Sequence, residues 1–248
     1  MAKRYLTALP VYNEASTVNE VLDQVLQYSS DVLVVDDGST DGTSELLDRR
    51  DDIQLVRHEP NRGYGAALRT AFAYAAEHEY LTLVTIDCDG QHEPQRIGGF
   101  VDACENADAD IVSGSRYLKL FPGDSSPPVD RRRVNEKITA EVNNRLGLTL
   151  TDAFCGFKAY RVDVLSELHL TEDGYAMPLE LWVQAACQEL RIIELPVPLI
   201  YLDEKRSFGG ALDDAVKRLE YYREVLVRSE ALARRHAAPG SRCATAVG

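Results

Sequence analysis

Short runs of apolar and β-branched residues alternate with helix-length stretches along the first half of the chain, and that alternation restricts the fold more than any composition figure does. Strand patterns fall at residues 5–9, 32–35, 53–56, 80–86 and 110–113. Helix patterns lie between them, near 17–27, 43–50 and 65–77 and again after Pro94, the first opened by Thr17 and Glu20 as a capping pair. Repeated β-α units of this kind predict an α/β fold, a doubly wound and mostly parallel sheet flanked by helices. The 248 residues suit one such domain with at most a modest extension.

The regularity breaks at residues 121–130, where Pro122, Gly123, Pro127 and Pro128 predict a mobile crossing before a basic helix over 131–146. A strand over 157–160, a helix over 179–189 and an extended edge segment over 192–201 follow, the last marked by Pro196 and Pro198. Residues 211–235 read as one long amphipathic helix with Leu212, Val216, Leu219, Tyr222 and Leu226 at helical spacing. Lys217, Arg218, Arg223 and Arg228 lie beside that stripe, but Glu220, Glu224 and Glu230 dilute the charge. The stripe is therefore expected to pack on the domain or on another subunit of a homo-oligomer. The expected organisation is a catalytic domain over 1–210, a packed helix over 211–236 and a disordered tail over 237–248.

Lys and Arg number 27 against 40 Asp and Glu, and the resulting net charge of -13 opposes non-specific association with nucleic acid or an acidic bilayer. A nucleotide ligand then needs a local patch of cations or a metal ion. Cys88, Cys104, Cys155, Cys187 and Cys243 show no short paired spacing, so reduced thiols in a cytosolic setting are expected. No signal-peptide pattern is present and no apolar run approaches the ~20 residues that cross a bilayer. The chain reads as soluble and cytoplasmic, at most peripheral to a membrane.

Polar residues collect where three of the strand patterns end. Pro10-Val11-Tyr12-Asn13-Glu14 follows the first, Asp36-Asp37-Gly38-Ser39-Thr40-Asp41-Gly42 the second, and Asp87-Cys88-Asp89-Gly90-Gln91-His92-Glu93-Pro94 the fourth. Open α/β sheets bind ligands at the carboxyl ends of their strands. Taken singly, each segment is ordinary turn or helix-cap chemistry. Together they place a wall for a flat base at Pro10 and Tyr12, an acceptor for a base or ribose donor at Asp37, and two carboxylates, Asp87 and Asp89, that can share a hard divalent cation beneath a diphosphate. His92 is read as part of the turn, since hard cations prefer oxygen.

In these segments the chain resembles the inverting family 2 glycosyltransferases of GT-A fold, and most closely the dolichyl- or polyprenyl-phosphate mannosyl- and glucosyltransferases. Asn61-Arg62-Gly63-Tyr64-Gly65, Gly114-Ser115-Arg116-Tyr117 and Cys155-Gly156-Phe157-Lys158-Ala159-Tyr160 extend the resemblance, in order, from about Leu6 to Gly210. The resemblance implies a nucleoside-diphosphate sugar donor, GDP- or UDP-hexose, with its base among Pro10, Tyr12, Glu14, Val35 and Asp37. It implies Mg²⁺ or Mn²⁺ at Asp87, Asp89 and Gln91, with the Cys88 backbone close to the sugar nucleotide. It also implies that Arg116, Arg131 or Arg132, and Arg206 hold the donor diphosphate and a lipid-phosphate acceptor, a task suited to planar, bidentate guanidinium groups.

Attack opposite the leaving group inverts the anomeric carbon, and the acceptor decides whether a base is needed. A phosphate is already ionised, whereas a hydroxyl needs a carboxylate within reach. Glu180 is the favoured carboxylate on the resemblance, and Glu172-Asp173 is the alternative. The chain departs from the family pattern at Lys158, at Cys155 and at Glu204-Lys205-Arg206-Ser207-Phe208-Gly209, so the acceptor is less fixed than the donor. The rival readings are a transferase with a soluble hydroxyl acceptor, a sugar-nucleotide-binding module without turnover, and a haloacid-dehalogenase-type phosphatase. That phosphatase requires threonine where Gln91 stands, and a loop after the first core strand rather than the fourth. Gly63-Tyr64-Gly65 lacks the third glycine of a dinucleotide fingerprint and excludes that class.

Overall fold

The computed structural model describes residues 3–107, 109–202 and 210–236. In chain order the elements are β1 (Lys3–Val11), α1 (Val18–Val25), β2 (Val32–Asp36), α2 (Thr43–Leu47), β3 (Gln54–Arg57), α3 (Tyr64–Glu77) and β4 (Tyr80–Thr85). Then come α4 (Ile97–Asn106), β5 (Ile111–Ser115), α5 (Val129–Leu146), β6 (Lys158–Arg161), α6 (Val162–Leu165), α7 (Met177–Cys187), β7 (Ile192–Pro196) and α8 (Ala215–His236). The strands form one sheet in the order β3-β2-β1-β4-β6-β5-β7, with β6 antiparallel to both of its neighbours. The mostly parallel, doubly wound sheet expected from the alternation is the one formed.

Side chains of successive strand residues point to opposite faces, which divides the core in two. Leu6, Ala8, Leu33 and Val35 pack with residues of α3, α5, α7 and α8. Leu9, Val11, Val32 and Val34 pack with residues of α1 and α4. The sheet order reverses between β1 and β4, since β2 and β3 continue from β1 in one direction and β4 lies in the other. A crevice at the carboxyl ends of β1 and β4 follows from that reversal.

Four local expectations are corrected. Thr17 stands at the N-cap of α1 without a capping bond, because its hydroxyl reaches the Cys88 carbonyl at 3.0 Å and Glu14 Oε2 at 3.1 Å, tying the helix to the acidic loop. The crossing over 121–130 is stitched down: Ser125 N–H donates to the Leu199 carbonyl at 2.7 Å, and Leu199 N–H donates to Asp124 Oδ1 at 2.9 Å. The stripe of α8 is rotated, so that Tyr222, Val225, Leu226, Ser229 and Ala233 are buried while Val216 is 64% exposed. Cys88, Cys104 and Cys155 are free thiols as expected, but Cys187 is disulfide-bonded. The expected tail over 237–248 lies outside the described residues.

Candidate active site

A cavity of about 410 Å³ opens where the turns after β1, β2 and β4 meet. Pro10, Tyr12, Glu14 and Asp37 line it, as do Asp87, Cys88, Asp89 and Gln91. The topology thus brings eight separately read residues around one space.

The turn after β1 is held by the turn after β2. Asn13 takes a left-handed conformation (φ 57), which asparagine tolerates better than most residues, and its Oδ1 accepts from Thr40 N–H at 2.8 Å. Asn13 N–H donates to Ser39 Oγ at 2.9 Å, and Glu14 N–H donates to Thr43 Oγ1 at 2.9 Å. Asp37 organises the next turn: its Oδ1 meets His58 Nδ1 at 2.6 Å and accepts from Arg62 N–H at 2.9 Å, while Oδ2 accepts from Gly63 N–H at 2.7 Å. Much of the carboxylate's accepting capacity is therefore spent on the wall itself. Gly63, at φ +105, passes so close to the 173 backbone that a Cβ would stand 2.3 Å from the Asp173 carbonyl oxygen.

Asp87 is partly buried and engaged at both oxygens. Tyr64 O–H donates to Asp87 Oδ1 at 3.0 Å, and His92 Nε2 lies 3.3 Å from Oδ2. Burial alone would raise the Asp87 pKa, but the His92 contact, the Tyr64 bond and the charge of Lys158 hold its carboxyl below the usual carboxylate range. Gly156 leaves the room this needs, since a Cβ there would fall 2.1 Å from Asp87 Oδ2. Asp89 Oδ1 accepts from Gln91 N–H at 3.0 Å, which closes the turn. His92 packs its ring on Phe157 at 5.6 Å, and its Nδ1 is a buried nitrogen without a hydrogen-bond partner among the described residues.

Among the described residues no group of three or more His, Cys, Asp or Glu forms a cage for a metal ion. A hard cation such as Mg²⁺ needs no such cage, because one or two carboxylates suffice when waters and substrate phosphates complete its shell. Asp87 and Asp89, two carboxylates lining one cavity with Asp87 held charged, fit that donor set.

The remaining wall is cationic and aromatic. Arg116 Nε and Nη2 grip the buried Asp152 at 2.6 and 2.9 Å, and Asn135 Nδ2 and Phe154 N–H donate to the same carboxylate. Burial alone would depress the Arg116 pKa, but the Asp152 charge and hydrogen bonds more than offset it, and the guanidinium stays ionised. Arg131 Nη1 donates to Tyr201 O–H at 2.6 Å. Arg218 of α8, also on the lining, is buried and donates through Nη1 to the Leu212 carbonyl at 2.6 Å. Burial pushes the Tyr222 hydroxyl up to about 12, against the opposing pull of Arg218 and Arg131, which places both guanidiniums in its field. Tyr64 connects the two walls, because the ring that carries the Asp87 donor stacks on Tyr175 at 5.8 Å.

Several of these residues escaped the reading of the chain. Asp152, Tyr64 and Tyr175 were not singled out, Tyr222 was counted only as part of an apolar stripe, and Arg218 only as charge beside it. The available signal was an arginine four residues before a tyrosine on the apolar face of α8, since a charge placed there must be paired or functional.

Other expected residues lie elsewhere. Val35 is a fully buried core residue of β2, packed in the cluster that includes α3, and is not among the residues that line the cavity. Glu180 is buried in α7, where its oxygens accept from Thr171 N–H, Thr171 Oγ1 and Glu172 N–H at 2.7–2.8 Å, so it fixes a loop and does not line the cavity. Glu172 accepts from Gly174 N–H, Tyr221 O–H and Arg228, and Asp173 pairs with Arg69; neither lines the cavity. Arg132 is exposed and does not line the cavity itself; it pairs with Glu136 at 2.8 Å and lies over the ring of the lining residue Tyr117 at 5.7 Å. Arg206 lies outside the described residues.

Residues 7–169 match the family described as Glycosyl transferase family 2. The chain belongs to that family. As a family 2 glycosyltransferase it is 32% identical over 228 residues to an undecaprenyl-phosphate mannosyltransferase of Micrococcus luteus, with 86% of this chain and 91% of that one covered. It is also 32% identical to a polyprenol monophosphomannose synthase of Mycolicibacterium smegmatis, over 79% of this chain and 77% of the other. A dolichyl-phosphate hexose transferase of Haloferax volcanii is 30% identical, with 75% and 78% covered. Among solved structures, glucosyl-3-phosphoglycerate synthase from Mycobacterium tuberculosis superposes with a TM-score of 0.68 at 18% identity, over 96% of this chain and 82% of that one. The shared architecture is the GT-A fold. No helix among the described residues is long and apolar enough to cross a membrane.

Proposed function

We propose that this glycosyltransferase moves a hexose, with inversion, from GDP- or UDP-hexose to a polyprenyl phosphate. The observation that carries this reading is the makeup of the cavity: Arg116, Arg131 and Arg218 face it, while every carboxylate considered as a base for a hydroxyl acceptor is engaged elsewhere. A phosphate acceptor needs cations and no base; a hydroxyl needs the reverse. The names of the relatives above point to the same acceptor class.

In this reading the base of the donor lies against Pro10 and Tyr12, beside the wall that Asp37 holds. Asp87 and Asp89 would hold Mg²⁺ or Mn²⁺, which supplies positive charge to the leaving diphosphate. Arg116, fixed by Asp152, offers further positive charge without having to reorient as the bond breaks. Arg131 and Arg218 orient the acceptor phosphate. One of its oxygens forms a bond to the anomeric carbon as the carbon–oxygen bond to the diphosphate breaks on the opposite face, giving a nucleoside diphosphate and a polyprenyl phosphohexose.

The test is a transfer assay with a short water-soluble prenyl phosphate, a panel of GDP- and UDP-hexoses, and Mn²⁺ or EDTA, with products identified by mass. A prenyl phosphohexose formed with Mn²⁺ and absent with EDTA is the expected result. Transfer to hydroxyl acceptors alone would overturn the acceptor, and full turnover in EDTA would overturn the metal.

A further inference from the structure

Asp37 reaches the cavity with its capacity to accept hydrogen bonds nearly used up. The residue is 2% exposed, yet it lines the cavity together with Pro10, Tyr12 and Asn61. An ionised carboxylate accepts and does not donate, so its 2.6 Å contact with His58 is a bond from Nδ1–H to Oδ1. His58 Nε2 then faces Thr70 Oγ1 of α3 at 2.8 Å, and the imidazole, itself buried, is held at both nitrogens. His58 does not line the cavity. Its effect on a ligand there passes through Asp37.

The two oxygens of a carboxylate offer about four acceptor sites. His58 Nδ1–H and Arg62 N–H fill Oδ1, and Gly63 N–H takes a site on Oδ2. One site, on Oδ2, is left for a ligand. The carboxylate is also fixed in place. His58 N–H donates to the Asp36 carbonyl at 2.9 Å, and a Cβ on Gly38 would stand 2.7 Å from the Asn61 nitrogen, so the turn after β2 and residues 58–63 are pressed together. Turning Asp37 to free a second site would break several of these bonds at once.

Guanine presents two adjacent donors on its pairing edge, N1–H and the 2-amino group, which a carboxylate satisfies by turning both oxygens to the base. Uracil presents one donor, N3–H, between two carbonyls. We propose that the site selects a uridine diphosphate donor over a guanosine one: Asp37 accepts uracil N3–H at its remaining site, and the exposed Asn61 offers its amide N–H to a flanking carbonyl. Guanine in the same place leaves a donor without a partner, at the cost of its desolvation. His58 is a positioning residue in this scheme, since it fills the oxygen that guanine needs. The proposal deepens the nucleotide-sugar reading above and rests on it, because that reading sets the base beside Asp37.

Calorimetric titration of the full chain with UDP and with GDP, each in Mn²⁺ and without acceptor, tests it. UDP should bind about tenfold more tightly or better, the worth of one hydrogen bond to a charged group. Equal affinities, or a preference for GDP, would overturn the proposal. His58→Ala removes the bond that fills Oδ1 and leaves the carboxylate room to turn a second oxygen to the base. In that variant the ratio of the two dissociation constants should narrow by about fivefold or more. Both nucleotides are titrated into one preparation, so a smaller folded fraction cancels from the ratio, and an unchanged ratio would overturn selection by Asp37 as His58 holds it. Should His58→Ala fail to fold, the ratio in the parent still decides. No acceptor enters these titrations, so failure of prenyl phosphate transfer leaves their result standing. Binding of neither nucleotide would remove the donor reading and this selection with it.

Discussion

The two walls of the cavity are built by different physics. The wall formed by the turns after β1, β2 and β4 is a set of local loops, each leaving a buried strand and each tied to the next by side-chain-to-backbone bonds such as Thr40 N–H to Asn13 and Gly63 N–H to Asp37. The wall formed by β5, α5 and α8 gathers residues more than a hundred positions apart, and it hangs on a buried ion pair, Arg116 with Asp152. In the first kind of wall a changed residue gives up hydrogen bonds, from one at a residue such as Ser39 to three at Asp37. The second leaves an uncompensated charge.

Replacing Asp152 by Asn should therefore cost about 3 kcal/mol of stability, read as a shift of the urea midpoint, because the mostly buried Arg116, its side chain 21% exposed, is left without its charge partner. Asp41→Ala, which removes caps from a half-exposed turn on the other wall, should cost only about 1 kcal/mol. Equal losses would erase the distinction between the walls. The pH dependence has a definite sign. Burial alone would raise the Asp152 pKa, but Arg116 and Asn135 more than offset it and hold it low. Its contribution is then complete above the unfolded-chain value of about 3.9 and is lost as pH falls through the lower folded value. Circular dichroism between neutral and strongly acid pH should show a smaller acid limb in Asp152→Asn than in the parent, the rest coming from carboxyls such as Asp36 and Asp87 that are also held low.

For catalysis, Asp89→Ala should lower transfer by roughly 10²–10³-fold with an unchanged unfolding midpoint, since it removes charge stabilisation at the leaving group and no core contact. Arg218→Met should raise the acceptor KM by about tenfold or more, the worth of one charge-assisted hydrogen bond, and leave the donor KM unchanged. A parallel rise in both constants would dissolve the division between the walls. Arg132→Ala should alter stability, and transfer to a short soluble acceptor, by about 0.5 kcal/mol or less, because its pair with Glu136 is solvent-exposed.

The same contrast explains what could be read from the chain. The strands, their order of appearance and the three polar turns were legible because each is a local pattern whose meaning the parallel topology fixes: apolar run, then turn, then helix. The resemblance makes Val35 base-facing, but every residue of β2 is buried and neither Val34 nor Val35 lines the cavity. Glu180 was misread because residue type and position along a helix do not say which backbone amides a carboxylate will meet. Asp152 has no local pattern that marks it, and Arg218 and Tyr222 are marked only by a charge set on the apolar face of α8. Their roles appear only when α5 and α8 close over the sheet, and the Thr17 hydroxyl likewise left its helix for a carbonyl seventy-one positions away.

The stretch that identifies the family ends at residue 169, yet α8 begins at Ala215 and brings Arg218 and Tyr222 to the cavity. The wall made by the turns after β1, β2 and β4 and the helix that closes the other wall are thus encoded on separate lengths of the chain. A substitution in α8 can reshape the closing wall while those three turns keep their bonds.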